Sequence, residues 1–348
     1  MTSLLNPDRR NREGRQSKLD LEICIPTYNR AAVLKAALRS SIDALDELPA
    51  CHGGILVIDN ASSDQTEEVV TGFDDNRIRY LRYQDNVSMY ANHNRCVEQT
   101  EGRYLMFLHS DDQIPPGYLR RVSERLNDQE QTCSTTPIDL VIDGGLIDPD
   151  PKLGCCSDSS PAVAIERAHL AAASIMLTGG GSPSGSLYRT TTLRNVGGFI
   201  TDAINADADL LVQYLLNHRN VVSMRHDRSV WETTPYSATA NPAYARHAMA
   251  ALSIFRRAFR TADRGQLESA LQKTLQSLPP ATACIGLFHL AAAGYPCLAM
   301  RSCLAATTRK LLVQPRFYAQ SLPAMLSPSL SRAAFWRISH VRRKYLRS

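Results

Sequence analysis

The sequence lacks several motifs by which large enzyme classes are recognised. It contains no GxxxxGK[ST] phosphate loop, and no GxGxxG follows its first apolar run, which argues against a P-loop NTPase and an NAD-dependent enzyme. It also has no GxSxG and no HExxH, so an α/β-hydrolase is disfavoured and a zincin is excluded. The chemistry must therefore be sought in other residues.

Cysteine is present but without a pattern: there are 9 residues, irregularly spaced and with no CxxC. This disfavours a disulfide framework or a zinc site and fits a reducing cytoplasm. Residues 1–18 lack the apolar core of a secretory signal and are polar enough to form a disordered leader. We therefore expect a cytoplasmic protein whose fold begins near residue 19.

Acidic residues are missing from the last quarter of the chain. Residues 271–348 hold 11 Lys and Arg and no Asp or Glu, although the net charge of the whole chain is only +5. The longest apolar stretch, 281–300, is rich in alanine and broken by two glycines and a proline, so we expect a buried helical hairpin there rather than a membrane span. An anionic partner or surface should be sought at the C-terminal end.

Strands and helices alternate through the first half of the chain. Apolar runs predict buried strands at 21–28, 53–60, 78–83 and 103–109, separated by segments with helical spacing. The alternation predicts an α/β fold with a doubly wound, mostly parallel sheet. Polar residues follow three of these strands, at the edge where open α/β sheets bind ligands. Beyond about residue 240 the chain becomes helical.

Two groups of candidate residues follow strands at that edge. Asp59, with Asn60 after it, could accept a hydrogen bond from a nucleobase or a ribose, but a turn or a helix cap explains it equally well. Asp111 and Asp112 suit a divalent cation held together with diphosphate oxygens, although a solvated acidic turn has the same sequence.

Two further candidates lie in the second half. Asp207 and Asp209 begin a predicted helix, where one could act as a general base at the sheet edge and either could cap the helix. Asp202 is a weaker competitor for the role of base. The glycine-rich loop 179–185 could bring backbone N–H groups close to an anion or a sugar, or it could be a plain linker.

Five segments, taken in order, resemble the family 2 glycosyltransferases of the GT-A fold. They are IPTYNR (25–30), LVIDNASSDQT (56–66), EGRYLMFLHSDD (101–112) preceded by an Asn-x7-Asn pair, SLYRTTTLRNVGGF (186–199) and ADADLLVQYLL (206–216). The family's usual patterns are PTYNR, VVDDGSxDxT, GxYxxFLDxDD, RRSALExVGGF and EDxDLxLRL. The resemblance covers residues 20–235. It implies a GT-A domain over 19–240, followed by a helical, basic C-terminal region over 241–348.

The resemblance also implies roles for individual residues. The nucleotide-sugar donor would be bound by Thr27, Tyr28, Arg30, Asp59, Asn60 and Asp111. The DxD position of the family maps to residues 109–111, so Asp111 would hold Mn²⁺ or Mg²⁺, with His109 as a second ligand if its imidazole is neutral. Asp207 would take the proton of the acceptor hydroxyl, while Asp112 and Asp209 would be structural.

The sequence departs from the family at several positions. His109 replaces the first Asp of DxD, Ala206 replaces the Glu before the base, and Ser88 stands where glycine is frequent. The family's occasional histidine after the base helix could correspond to His226 or Thr234. A weaker metal site would follow from the change at His109.

These roles imply an inverting sugar transfer to a hydroxyl of a glycan or lipid-linked oligosaccharide, as in surface polysaccharide biosynthesis. The tail 331–348, with aromatic residues among six Arg and Lys, could bind an anionic membrane surface and so hold the protein at the inner face of the membrane, or it could pack on the core. The alternative function is a non-catalytic GT-A protein that binds a nucleotide sugar or a partner, an idea that only His109 supports. No nucleic-acid reader motif is present, so no nucleic-acid partner is expected.

Overall fold

Strands and helices alternate along the part of the chain that the computed structural model describes: residues 20–48, 52–132, 140–142, 161–178, 184–201, 206–217, 221–223 and 251–306, together with Ser321 and Met325. The strands are β1 Asp20–Thr27, β2 His52–Asp59, β3 Ile78–Arg82, β4 Tyr104–Phe107, β5 Leu140–Ile142, β6 Leu187–Arg189 and β7 Val221–Ser223. The helices are α1 Ala31–Asp46, α2 Thr66–Thr71, α3 Met89–Gln99, α4 Tyr118–Thr132, α5 Pro161–Thr178, α6 Thr190–Val196, α7 Ala206–Asn217, α8 Ala251–Thr261, α9 Arg264–Ser277, α10 Pro280–Ala292 and α11 Pro296–Ala306.

The strands form one mixed sheet in the order β3-β2-β1-β4-β6-β5-β7. β3, β2, β1 and β4 are parallel neighbours, and β5 and β7 pair in parallel, whereas β6 runs antiparallel to both β4 and β5. The predicted α/β fold with a mostly parallel sheet is confirmed. The ends of β1, β2 and β4, where the candidate residues begin, lie side by side at one edge because these strands are parallel.

Each face of the sheet is covered by a separate apolar core, because successive residues of a strand point to opposite faces. Ile23, Ile25, Ile55 and Val57 pack with α1, α2 and α4 on one face. On the other face, Cys24, Leu56, Leu105 and Phe107 pack with α3, α5 and the helices from α7 to α11. The C-terminal helices therefore complete the core beneath the strands that carry the candidate residues.

The apolar stretch 281–300 forms the predicted helical hairpin. It spans most of α10 and the start of α11, with Gly294 at φ 103° between them. No helix among the described residues is both long and apolar enough to cross a bilayer. The predicted leader 1–18, the division near residue 240 and the basic tail 331–348 all lie outside the described residues, so these remain predictions.

Candidate active site

The ends of β1 and β2 place Thr27 and Asp59 directly beside each other. The two residues are partners in the parallel register, and the backbone N–H of Asn60 donates to the carbonyl of Thr27 at 3.0 Å. Thr27 is buried, and its hydroxyl has no hydrogen-bond partner among the described residues. The register thus brings together residues 32 positions apart in the sequence and leaves one polar group of the edge unsatisfied.

The two loops that follow these strands are joined by hydrogen bonds between side chains and backbone. Asn29 N–H donates to Ser62 Oγ at 2.8 Å, and Ser63 N–H donates to Asn29 Oδ1 at 2.8 Å. Asp64 accepts from the N–H of Ala31 at 3.0 Å, at the start of α1. Asn29 adopts a left-handed backbone at φ 52°, a conformation that asparagine tolerates better than most residues. The PTYNR and DNASSD segments therefore build a single rim.

Asp59 is fully buried beneath this rim, and both of its carboxylate oxygens have partners. Oδ1 accepts from Ser62 N–H at 2.8 Å, and Oδ2 accepts from the hydroxyl of Tyr80 on β3 at 2.5 Å. Burial and the neighbouring Asp59 raise the pKa of Tyr80, so the phenol keeps its proton. The predicted contact of Asp59 with a base or ribose stays a prediction, and the observed contacts show that Asp59 also organises the loop.

Asn60 fixes the loop between β3 and α3. Its amide group donates to Val87 O at 2.8 Å, and its Oδ1 accepts from Val87 N–H at 2.9 Å and from Arg95 at 2.9 Å. The guanidinium of Arg95 also stacks over the ring of Tyr83 at 3.9 Å. These contacts occupy the Asn60 carbonyl, so direct binding of the sugar donor by Asn60 remains a prediction.

Tyr28 and Arg30 follow buried Thr27 and are accessible to solvent. Tyr28 is 48% exposed, which is unusual for a large aromatic residue, and Arg30 is partly exposed at the start of α1. An exposed aromatic ring at a sheet edge offers a face for a nucleobase, since base stacking on aromatics tolerates any base. Both side chains are therefore open to contact with a ligand in solvent.

The end of β4 carries His109 in an acidic environment. Its Nδ1 lies 3.5 Å from Asp112 Oδ2, and its backbone N–H donates to Ser184 Oγ at 3.2 Å. Burial lowers the pKa of the imidazole, but the hydrogen bond to Asp112 and the charges of Asp112, Asp111 and Asp207 outweigh burial and raise it above its usual value. Ser184 and Gly185, the end of the glycine-rich loop, thus contact β4, while 179–183 lie outside the described residues.

Asp207 lies in the first turn of α7, close enough to His109 for their charges to interact. Burial raises its pKa to about 6, although the backbone N–H of Ala208, the charge of His109 and a hydrogen bond from Tyr90 act in the opposite direction. The charge of Asp207 in turn contributes to the raised pKa of buried Tyr188. A carboxylate with a pKa close to neutral is well matched to act as a general base.

Tyr90 and His93 belong to this cluster, and the sequence analysis did not identify them. The ring of His93 is buried 5.5 Å from that of His109, and its Nδ1–H donates to Met89 O at 2.8 Å. Burial lowers the pKa of His93 to about 3, so it stays neutral. Their spacing of three residues on the predicted helix was the one available signal, since such residues share a helix face.

The second asparagine of the Asn-x7-Asn pair is hydrogen-bonded to the GGF segment. Asn94 Nδ2 donates to Phe199 O at 2.9 Å, and Phe199 N–H donates to Asn94 Oδ1 at 2.8 Å. Gly198 has φ 65°, and a Cβ there would lie 2.5 Å from Asn94 Oδ1. These motif residues hold α3 against the loop before α7, and so hold Tyr90 near Asp207.

Among the described residues at this edge, Asp111 is the carboxylate best suited to bind a divalent cation. The described residues contain no group of three or more His, Cys, Asp and Glu side chains that could hold a metal by itself. Mg²⁺ bound to nucleotides takes most of its ligands from phosphate and water and needs only one or two carboxylates, which the partly exposed Asp111 can supply. A protonated imidazole has no lone pair for a metal, so ligation by His109 requires loss of the proton that its acidic neighbours favour.

Sequence comparison finds a family for part of the chain. Residues 22–159 match the family described as glycosyl transferase family 2. This segment is similar to the family 2 glycosyltransferases. Thr27, Asp59 and Asp111 lie inside the matched segment, whereas Asp207 lies beyond it.

Two curated relatives are similar to parts of this chain. The chain is 25% identical over 232 residues to the uncharacterized protein MT1568 of Mycobacterium tuberculosis, a match that covers 63% of this chain and 70% of that protein. It is 31% identical over 111 residues to the GalNAc(5)-diNAcBac-PP-undecaprenol beta-1,3-glucosyltransferase of Campylobacter jejuni, which covers 31% of this chain but only 35% of that enzyme.

Solved structures show the same fold. Residues 1–349 of S. aureus TarS superpose with a TM-score of 0.58 at 15% identity, covering 94% of this chain and 92% of that one. The complex of the same TarS segment with UDP-GlcNAc gives a TM-score of 0.53 at 15% identity, covering 88% and 91%. The structural similarity therefore covers the C-terminal helices as well as the matched segment.

Proposed function

We propose that this protein is an inverting glycosyltransferase that moves a sugar from a nucleotide diphosphate sugar to a hydroxyl group of a glycan or lipid-linked oligosaccharide, in surface polysaccharide biosynthesis. The observation that carries the proposal is the carboxylate of Asp207. It lies at the edge of a GT-A sheet with a pKa of about 6, held by Tyr90 and facing His109. The curated glucosyltransferase relative acts in glycan assembly on PP-undecaprenol by its name, which supports this class of acceptor.

Asp207 acts as the general base. At pH 7 most of the carboxylate is ionised, since its pKa is about 6, and it takes the proton as the acceptor O–H bond breaks. The acceptor oxygen forms the new bond to the anomeric carbon as the bond from that carbon to the diphosphate oxygen breaks on the opposite side. The nucleoside diphosphate departs with the electron pair, and the configuration at the anomeric carbon is inverted.

The rim of β1 and β2 binds the nucleotide. Tyr28 stacks on the base, Arg30 neutralises phosphate charge, and the unsatisfied hydroxyl of Thr27 hydrogen-bonds the donor. Asp59 accepts from the base or ribose through the lone pairs that Ser62 and Tyr80 leave available. That TarS was crystallised with UDP-GlcNAc supports a nucleotide-sugar donor for this fold.

Asp111 would hold Mn²⁺ or Mg²⁺ together with the phosphates of the donor. Such an ion stabilises the charge that develops on a leaving diphosphate. His109 contributes either as a neutral ligand or, in its protonated form, as a positive charge beside the phosphates. Both forms favour departure of the nucleotide.

The basic tail 331–348 provides the contact with an anionic membrane surface at which a lipid-linked acceptor would be found. Its six Arg and Lys are separated by aromatic residues that suit the interface. Flotation with liposomes containing anionic lipid tests this assignment: deletion of 331–348 should abolish flotation, and an unchanged amount of floated protein would refute it.

The catalytic assignment is tested by a screen of nucleotides followed by Asp207→Asn. UDP, GDP, CDP and dTDP are compared by thermal shift with and without Mn²⁺, since a ligand that binds only the folded state raises the melting temperature. We expect one diphosphate to stabilise the protein in a metal-dependent manner that Asp111→Ala abolishes. Asp207→Asn should bind this nucleotide normally and lose transfer by at least about 100-fold; full turnover by this variant would show that Asp207 is not the base.

A further inference from the structure

The two carboxylates at the start of α7 face opposite sides of the helix. Asp207 and Asp209 are two residues apart, which separates them by about 200° around the helix axis. Asp207 faces Tyr90 and His109, whereas Asp209 is 1% exposed and forms an ion pair with Arg257 on α8. The family resemblance assigns only a structural role to Asp209 and none to Arg257.

A second polar contact lies one turn further along both helices. The hydroxyl of Thr261 donates to Gln213 Oε1 at 3.1 Å, and Gln213 is 1% exposed. Gln213 is four residues after Asp209, and Thr261 is four residues after Arg257. The two contacts therefore form a ladder between parallel faces of α7 and α8, which we call the α7–α8 ladder.

This ladder lies on a helix that is mostly apolar and buried nearly all the way round. Seven other α7 residues are buried: six aliphatic ones, Ala206, Ala208, Leu210, Leu211, Val212 and Leu215, and Tyr214, whose hydroxyl donates to Arg189 O at 2.9 Å near the far end of the helix. Burial raises the pKa of Asp209 to about 6, although Arg257 lowers it. Burial of the ionised carboxylate therefore reduces the stability of the folded state. Apolar packing tolerates sliding and rotation, whereas a buried ion pair is satisfied in one register only, and specification of register is the best-attested use of such pairs.

We propose that the α7–α8 ladder sets the rotation and axial position of α7, and that Arg257 is thereby a positioning residue for Asp207. Side-chain tips lie about 5–6 Å from a helix axis, so a rotation of 10° moves the Asp207 carboxylate by about 1 Å. A displacement of that size can reduce turnover by about 100-fold. The inference rests on the proposed function, in which Asp207 is the base, and it makes the C-terminal helices part of the catalytic apparatus.

The decisive comparison is between removal of one partner and replacement of both. Arg257→Met leaves the Asp209 charge buried and uncompensated, so it should lower both the melting temperature and kcat. The double variant Asp209→Leu, Arg257→Met replaces the pair with apolar side chains, a change that is often neutral or stabilising. We expect its melting temperature to return to near that of the unmodified protein while its kcat stays at least 10-fold lower, with the KM for the sugar donor within about 2-fold.

Two further variants complete the design. Arg256→Met removes an exposed arginine from the same helix and should leave kcat, KM and melting temperature unchanged. Arg257→Lys keeps the charge and should recover part of kcat. If kcat recovers together with the melting temperature in the double variant, or if Arg257→Met keeps kcat within 2-fold, the ladder is merely structural and the proposal is wrong.

Hydrogen exchange distinguishes this proposal from the proposed function. Amide exchange of residues 206–210 should be faster in Arg257→Met and in the double variant, and unchanged in Arg256→Met. If the unmodified protein transfers no sugar from any nucleotide sugar, the proposed function fails and exchange alone decides: faster exchange supports positioning of α7 by the ladder, and unchanged exchange refutes it. If the unmodified protein is active and Asp207→Asn is not, the proposed function stands whatever the Arg257 variants show.

Discussion

Asp207 should make the folded protein less stable at neutral pH, and its removal should make it more stable. Its pKa is about 6 in the folded protein against an ordinary 3.8, a difference of about 2 units. At about 1.4 kcal/mol per unit, an ionised Asp207 lowers the free energy of unfolding by about 3 kcal/mol above pH 6. The folded state binds the proton more tightly, so this destabilisation develops as the pH rises from about 4 to 6 and is absent below 4.

Asp207→Asn removes the titration and keeps the shape of the side chain. Unfolding entropy of about 2.1 cal/mol/K per residue over 348 residues converts 3 kcal/mol into a rise of about 4 °C in melting temperature at pH 7. The assay is thermal unfolding of both proteins from pH 4.5 to 8, with Asp74→Asn on an exposed carboxylate as the control. Equal melting temperatures for Asp207→Asn and the unmodified protein across this range would refute the assigned burial of the charge.

Three further substitutions test the rest of the site. Gly198→Ala should lower the free energy of unfolding by about 2–4 kcal/mol in chemical denaturation, because the backbone is left-handed and the new Cβ would clash with Asn94. Gly197→Ala, with φ 87° but no atom within 4 Å of the new Cβ, should lower it by only about 1 kcal/mol. His109→Asp should raise the affinity for Mn²⁺, so that transfer reaches half of its maximal rate at a lower Mn²⁺ concentration. An unchanged half-saturating concentration would refute a role of this position in metal binding. Tyr28→Ala should weaken nucleotide binding in calorimetry by about 5- to 150-fold without a change in melting temperature, since stacking contributes about 1–3 kcal/mol.

The parallel part of the sheet could be predicted because its strands are short apolar runs that end in polar residues. The predicted strands at 21–28, 53–60 and 103–109 correspond to β1, β2 and β4 within a few residues. β6 could not be identified as an antiparallel neighbour of β4 from its three residues, because its position depends on pairing partners far away in the sequence. Local patterns determine which segments are strands, but not which strands they pair with.

Residue type and position predict the candidate site mainly as polar residues at strand and helix ends. By these criteria Asp207 and Asp209 are equivalent, and the choice of Asp207 as base comes from the family resemblance. The packing of α7 against α8 is what separates the surroundings of the two carboxylates. Likewise, nothing in the sequence near Asp59 indicates that the Tyr80 hydroxyl, 21 residues away, binds its carboxylate. Partners supplied by other elements decide what each carboxylate does, and a motif does not contain them.

The packing of the C-terminal helices on the sheet has a consequence for how this protein can be divided. The segment that matches the family ends at residue 159, yet β4 needs β6 on its far side, and the face that carries Cys24 and Leu56 needs helices from α5 onwards. The family match therefore ends within one shared apolar core. A substitution in α10 or α11, more than a hundred residues beyond that limit, alters the folding free energy that keeps the loops after β1 and β2 assembled.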